Sequence, residues 1–378
     1  MRAAALVVAV AALAGGAAIA APAGGQLGQL GKIAKKAQQV RELQITDEDE
    51  QRLGAAVSER VRVRYGVVQD AAVHRYVALV GTVLAQASTR PNLPWQFIVL
   101  DTDGVNAFAA PGGYVHITRG ALALMGSEAE LAGVLAHEII HVTEKHTLKA
   151  IRKGKMIQMG ADETLKGNSA LFGQLVDKTT ELVMAGFGRN EELESDREGL
   201  RLADKVGYAP TGLGTFLTNL EQRNKDATQK QGLFASHPEM QERLDKLTTQ
   251  IAAEKLACTA TLEDRYRKMI SYKPVPQTKI AVIQAGTAGL AGGGKEEKGT
   301  EEKKDKQKEE QKPKRGFGLG SLLSPGGSEK KSAEVTGSGA SRGVDTERNA
   351  KGGPVSALVA VNLTSADVAQ FKKAGSLR

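Results

Sequence analysis

Residues 127–142, SEAELAGVLAHEIIHV, hold the pattern H-E-x-x-H at His137, Glu138 and His141. Residues four apart on an α-helix are offset by only about 40°, so the two imidazoles project from one side, one turn apart. Two such ring nitrogens can share one zinc ion, and on a helix the pattern is a metalloprotease signature. Glu138 follows the first histidine directly and is placed to take a proton from water that the ion activates. The helix has its own start signal, with Ser127 as N-cap and Glu130 reaching back in a capping box. Leu131, Val134, Leu135 and Val142 recur at helical spacing, which predicts a buried helix. The plain alternative is a coincidental pair of buried histidines, and the rest of the chain argues against it.

A catalytic zinc needs a third protein ligand and an open position. Residues 189–197, RNEELESDR, offer one. Glu192 and Asp196 are four apart and share a helix face. One can bind metal while the other accepts a hydrogen bond from the second nitrogen of a ligand histidine. Taken alone, this run reads as a solvated acidic face; paired with the upstream motif, the ligand reading is the better one.

The remaining elements follow from pattern. Thr46-Asp47-Glu48-Asp49 opens a helix with Leu53, Val57 and Val61 inside. Ala71 to Ala87 reads as a second helix, with Val73, Val77, Val80 and Leu84 facing in and packing on the zinc helix. Residues 94–100, PWQFIVL, read as a strand with Trp95 in the core. Residues 106–118, NAFAAPGGYVHIT, read as a hairpin turning at Pro-Gly-Gly, whose exposed edge could pair with an extended substrate. His116 alternates with Tyr114 and Thr118, which predicts a surface or substrate-facing residue. His146 lies five residues past His141, which predicts a solvated or second-layer position. Residues 152–170 read as a mobile loop, Leu171 to Phe187 as a helix, and Thr261 to Tyr272 as a helix with Leu262, Tyr266 and Met269 inside.

The 378-residue chain has room for one sizeable core and tails. Its net charge of +8 would allow anionic partners, but the signs are mixed and aromatics are only 4%, which argues against stacking on nucleic acid. Cys258 is the one cysteine, so no intramolecular disulfide forms; it reads as a half-buried small residue. Met1-Arg2, the apolar run Ala3 to Ala20 and the Ala18-Ile19-Ala20 site predict a signal peptide, residues 1–20, cleaved after Ala20, with a retained anchor as the alternative. The expected organisation is a leader over 21–45, a folded domain over 46–272, a disordered Gly/Lys/Glu linker over 273–353 and a short tail over 354–378. In that tail Val355 to Val361 could form a strand and Thr364 to Ala374 a capped helix that docks on a partner or back on the body.

Four stretches together resemble the HtpX/Oma-type zinc metalloendopeptidases, metallopeptidase family 48 of the gluzincin group: NAFAAPGGYVHITRGAL at 106–122, ELAGVLAHEIIH at 130–141, RNEELESDREG at 189–199 and SHPEMQER at 236–243. The resemblance spans about residues 46–272, and the exported branch without membrane-spanning helices is the nearer match. It implies an α+β, mostly α, zincin-like domain with an active-site helix, a small edge sheet and one catalytic zinc per chain. It places the third ligand at Glu192 beside His137 and His141, and gives Asp196 a supporting role. It sets His237 and Arg243 by the active site. There His237 would donate to the oxyanion of a tetrahedral intermediate, with Arg243 orienting it or binding substrate. Alternatively His237 would sit on the zinc and block it, on a moving segment near Arg223 to Gly232.

The expected function is a periplasmic zinc endopeptidase that cleaves misfolded or misassembled envelope proteins. The competing expectation is a chaperone-like envelope assembly factor with a latent zinc site. Polypeptides are the expected partners, with peripheral membrane or envelope-complex contact through the tail, and no nucleic acid.

Overall fold

The computed structural model describes residues 45–153, 169–224, 240–276 and 355–378. The expected signal segment, His237, residues 154–168 and nearly all of the expected leader and linker lie outside them.

Helix α1 (Asp47–Tyr65) starts at a capping box in which Thr46 accepts from the Asp49 amide at 3.1 Å. Its Leu53, Val57 and Val61 are fully buried. Helix α2 (Ala71–Ala87) is capped by Asp70, and Val73, Val77, Val80 and Leu84 are buried, as their spacing predicts. Strands β1 (Gln96–Leu100), β2 (Ala107–Ala110) and β3 (Tyr114–Thr118) form one sheet in the order β1-β3-β2. The hairpin is present, with β2 antiparallel to β3, and Gly112 at φ 74° makes the reversal. Strand β1 runs parallel to β3, leaving β2 at the edge. Trp95 is half-buried and stacks on Phe97 with centroids 6.2 Å apart.

Helix α3 (Arg119–Leu124) leads into α4 (Glu128–Thr143), the helix of the H-E-x-x-H pattern, and all of its residues are buried. Ser127 accepts from the Glu130 amide at 3.2 Å, while the Glu130 carboxylate accepts from the Gly126 amide at 3.2 Å. Glu128 places a fully buried carboxylate at the positive end of the helix dipole. Tyr76 and Tyr208 each donate a hydroxyl to it at 2.7 Å, and Arg265 donates Nε at 2.6 Å.

Around α4 stand α2, the sheet, α5 (His146–Lys153), α7 (Arg189–Val206), α8 (Gly212–Asn224) and α10 (Glu263–Met269). Helix α6 (Ser169–Ala185) packs on α1, and α9 (Met240–Glu254) on α7 and α8. Gly199 sets the α4–α7 distance: a Cβ there would lie 3.0 Å from the His137 amide nitrogen. In α10, Tyr266 is buried as expected, but Met269 is 36% exposed because the helix ends at that residue and its side chain falls past the last buried turn.

Residues 355–363 form no strand, which corrects the expected one at Val355 to Val361. Val67 donates its amide to the Val355 carbonyl at 2.7 Å, and Gln69 reaches the Ala357 carbonyl at 3.1 Å. Helix α11 (Ser365–Ala374) keeps its predicted cap at Thr364. It docks on the body through Arg75–Asp367 at 2.7 Å and the buried Val368. Phe371 lies 4.0 Å beneath the Arg265 guanidinium. No helix among the described residues is long and apolar enough to cross a membrane.

Candidate metal centre

Three buried side chains meet between α4 and α7: His137, His141 and Glu192. The two Nε2 atoms are 3.0 Å apart. Glu192 offers one oxygen to each ring, at 3.5 Å from His137 and 3.4 Å from His141. Three ligands around a tetrahedral ion at about 2.0–2.1 Å stand about 3.3 Å from one another, so this donor set fits a zinc-sized cation. Glu138, on the same helix, is 1% exposed.

Each histidine leaves its Nδ1 for an outer partner. His137 Nδ1 lies 2.9 Å from Asp196 Oδ1. Arg243, from α9, donates Nε and Nη2 to the two oxygens of Asp196 at 2.7 Å each, and its Nη1 lies 3.3 Å from Glu192. Arg243 is only 2% exposed, and its guanidinium braces the acidic pair from inside. His237 lies outside the described residues.

Three carboxylates (Glu138, Glu192, Asp196) and one guanidinium leave the centre negative. Burial alone would depress the His137 pKa, but hydrogen bonds to Asp196 and Glu192 outweigh it and lift the pKa to about 9. Burial likewise opposes ionisation of Asp196, yet Arg243 and His137 bring it down to about 2. A divalent cation among these atoms meets the same negative field.

Three further residues close around these rings. Phe187 follows α6 and stacks on the His141 ring at 4.2 Å and 19°. His146 is buried, with Nδ1 2.9 Å from His141 Nδ1, so of its two expected positions it takes the second-layer one. Glu194 Oε2 lies 3.1 Å from His146 Nε2. A histidine five residues past the motif and the third acid of the E-E-x-E run were visible signals; nothing marked Phe187. His116 is corrected more sharply. It is fully buried beneath α1, with Nε2 2.9 Å from Ser58 Oγ, because its face of β3 packs on that helix.

Residues 71–251 match the profile of peptidase family M48. The chain carries a peptidase family M48 domain. Among curated relatives of this M48 domain, the beta-barrel assembly-enhancing protease of Escherichia coli K12 is 27% identical over 207 residues, 52% of this chain and 42% of the relative. Metalloprotease YcaL of the same organism is 30% identical over 168 residues, covering 43% of this chain and 64% of the relative. The mitochondrial metalloendopeptidase OMA1 of Schizosaccharomyces pombe is 27% identical over 205 residues, 52% of this chain and 60% of the relative. The chain therefore spans under half the length of the first of these relatives and under two thirds of the others.

Proposed function

We propose that this chain is a zinc-dependent metalloendopeptidase that hydrolyses peptide bonds in unfolded or misassembled envelope proteins. The observation that carries this reading is the buried His137–His141–Glu192 cluster, with the buried Glu138 next to His137 in the same helix. Zinc bound by those three residues would polarise the scissile carbonyl and acidify water. Glu138 takes a proton from the attacking water and passes it to the leaving amine. Asp196 holds the His137 ring and Arg243 holds Asp196, so the ligand set is preorganised. Strand β2 pairs with a neighbour on one side only, and an extended peptide added to its other side would be read by backbone rather than by sequence. His237 donates to the developing oxyanion, a role supported by resemblance alone.

The apolar run Ala3 to Ala20 with its Ala18-Ile19-Ala20 pattern supports export and a periplasmic site of action. The similarity to a beta-barrel assembly-enhancing protease supports envelope proteins as the substrate class. The test uses purified protein loaded with zinc and offered unfolded casein. Cleavage that a chelator abolishes and zinc restores is expected. Bound zinc without cleavage would contradict the reading and favour an assembly factor with a latent site.

A further inference from the structure

His146 lies where an unbroken helix would turn it away from the metal-binding face. The helix breaks first. Helix α4 ends at Thr143, Lys145 adopts a left-handed φ of 54°, and α5 begins at His146 itself. The break swings the His146 ring back against His141, with centroids 4.9 Å apart and planes at 73°. The two Nδ1 atoms come to 2.9 Å, and on the far side His146 Nε2 lies 3.1 Å from Glu194 Oε2.

We infer that His146 is the positioning residue for His141, fixing its ring and tautomer through a directed hydrogen-bond chain that ends on Glu194. The inference rests on the zinc reading. A histidine that gives its Nε2 lone pair to a cation carries its proton on Nδ1. That proton needs an acceptor, and His146 Nδ1 is in place for it. To accept, the neutral His146 must carry its own proton on Nε2, which then points at the Glu194 carboxylate. One proton arrangement therefore satisfies both contacts and leaves the His141 lone pair aimed at the ion. The reverse arrangement puts a proton on His141 Nε2, toward His137 Nε2 only 3.0 Å away, where it would block the ion.

The other groups facing this chain are compatible with it. Ser195 Oγ stands 3.5 Å from His146 Nδ1, farther than His141. Phe187 covers both rings, at 4.2 Å from His141 and 5.8 Å from His146 between centroids. The two histidines of the motif thus have unlike outer partners. His137 leans on a buried carboxylate clamped by Arg243, whereas His141 leans on a neutral imidazole. A neutral acceptor orients the second ring without adding a further buried negative charge to a centre that already holds three carboxylates.

The test compares wild type with His146→Asn, His146→Gln and His146→Leu. Asn places its Oδ1 near the position of Nδ1 and can still accept from His141. Gln places its amide near Nε2 and keeps only the side facing Glu194. Zinc affinity is read by competition with a chromophoric chelator, the metal geometry from the absorption spectrum of the Co2+-loaded protein, and folding from melts of the metal-free forms. Near-wild-type affinity and spectrum are expected for Asn. Zinc binding about 10–100-fold weaker is expected for Gln and Leu. Unchanged affinity in Gln and Leu, or an Asn variant as weak as Leu, would overturn the inference. If Leu fails to fold, the Asn and Gln pair decides alone. Wild type that binds no zinc would instead refute the zinc reading beneath it, which is a separate result.

Discussion

Arg243 grips Asp196 with two parallel hydrogen bonds of 2.7 Å, and both side chains are almost fully buried. Through this fork, α9 holds an aspartate of α7, which in turn holds the His137 ring of α4. The metal-binding face of α4 is therefore set by a residue more than a hundred positions away in the chain.

Removing Arg243 leaves Asp196 and Glu192 as buried charges without their guanidinium. Arg243→Leu should cost about 3–5 kcal/mol, read from urea unfolding. Arg243→Lys should recover only part of this, because an ammonium cannot make the fork. Wild-type stability in the Leu variant would contradict the bracing role.

Glu50 links the hairpin tip to the far end of α4. It accepts from Arg90 at 2.8 and 3.0 Å and from the Gly112 amide at 3.1 Å, while Arg90 also reaches the Val142 carbonyl at 3.3 Å. Glu50→Gln keeps the size and loses the charge. The expected outcome is a higher KM for long peptides with kcat and zinc content nearly unchanged, since β2 loses its anchor while the ligands keep theirs. Unaltered KM would show that the tip needs no such tether.

His116 makes stability depend on pH. Burial holds its pKa down to about 3, against an ordinary value near 6.5. Between those values the unfolded chain binds a proton that the folded protein refuses. Its contribution is therefore complete above pH 6.5 and is lost as pH falls toward 3, at up to about 1.4 kcal/mol per pH unit. Burial also lowers the pKa of His74, in the same direction. Urea unfolding at pH 7.5 and pH 5 should show a smaller acid loss in His116→Gln than in wild type, by up to about 2 kcal/mol. Equal losses would contradict the assignment.

Phe371 joins the tail to the N-terminal end of α4. It lies under Arg265, which pairs with Glu128, and meets Tyr76 edge-on at 6.2 Å. Phe371→Ala should destabilise by about 1–3 kcal/mol from lost area and cation–π contact. A melting temperature equal to wild type would mean that the tail adds nothing to the domain.

The parts legible in the sequence were those written in local pattern. The apolar spacing of α1 and α2, the caps at Thr46, Ser127 and Thr364, and the Pro-Gly-Gly reversal each depend on residues a few positions apart. So does the shared face of His137 and His141. What was misread depends on distant partners or on a break in periodicity. His116 looked outward because alternation in β3 does not say which face α1 covers. The sequence left His146 between a solvated and a second-layer position, because its offset assumed a helix that in fact ends at Thr143. The fork between Arg243 and Asp196 was not legible because the two residues lie in different helices. The parallel pairing of β1 with β3 has no local signal at all.

The central claim is that Glu138 moves the proton while His137, His141 and Glu192 hold the metal. The direct measurement is zinc content and unfolded-casein cleavage, side by side, for wild type and Glu138→Gln. Stoichiometric zinc in both and cleavage in wild type only are expected. Cleavage by Glu138→Gln at the wild-type rate would contradict it.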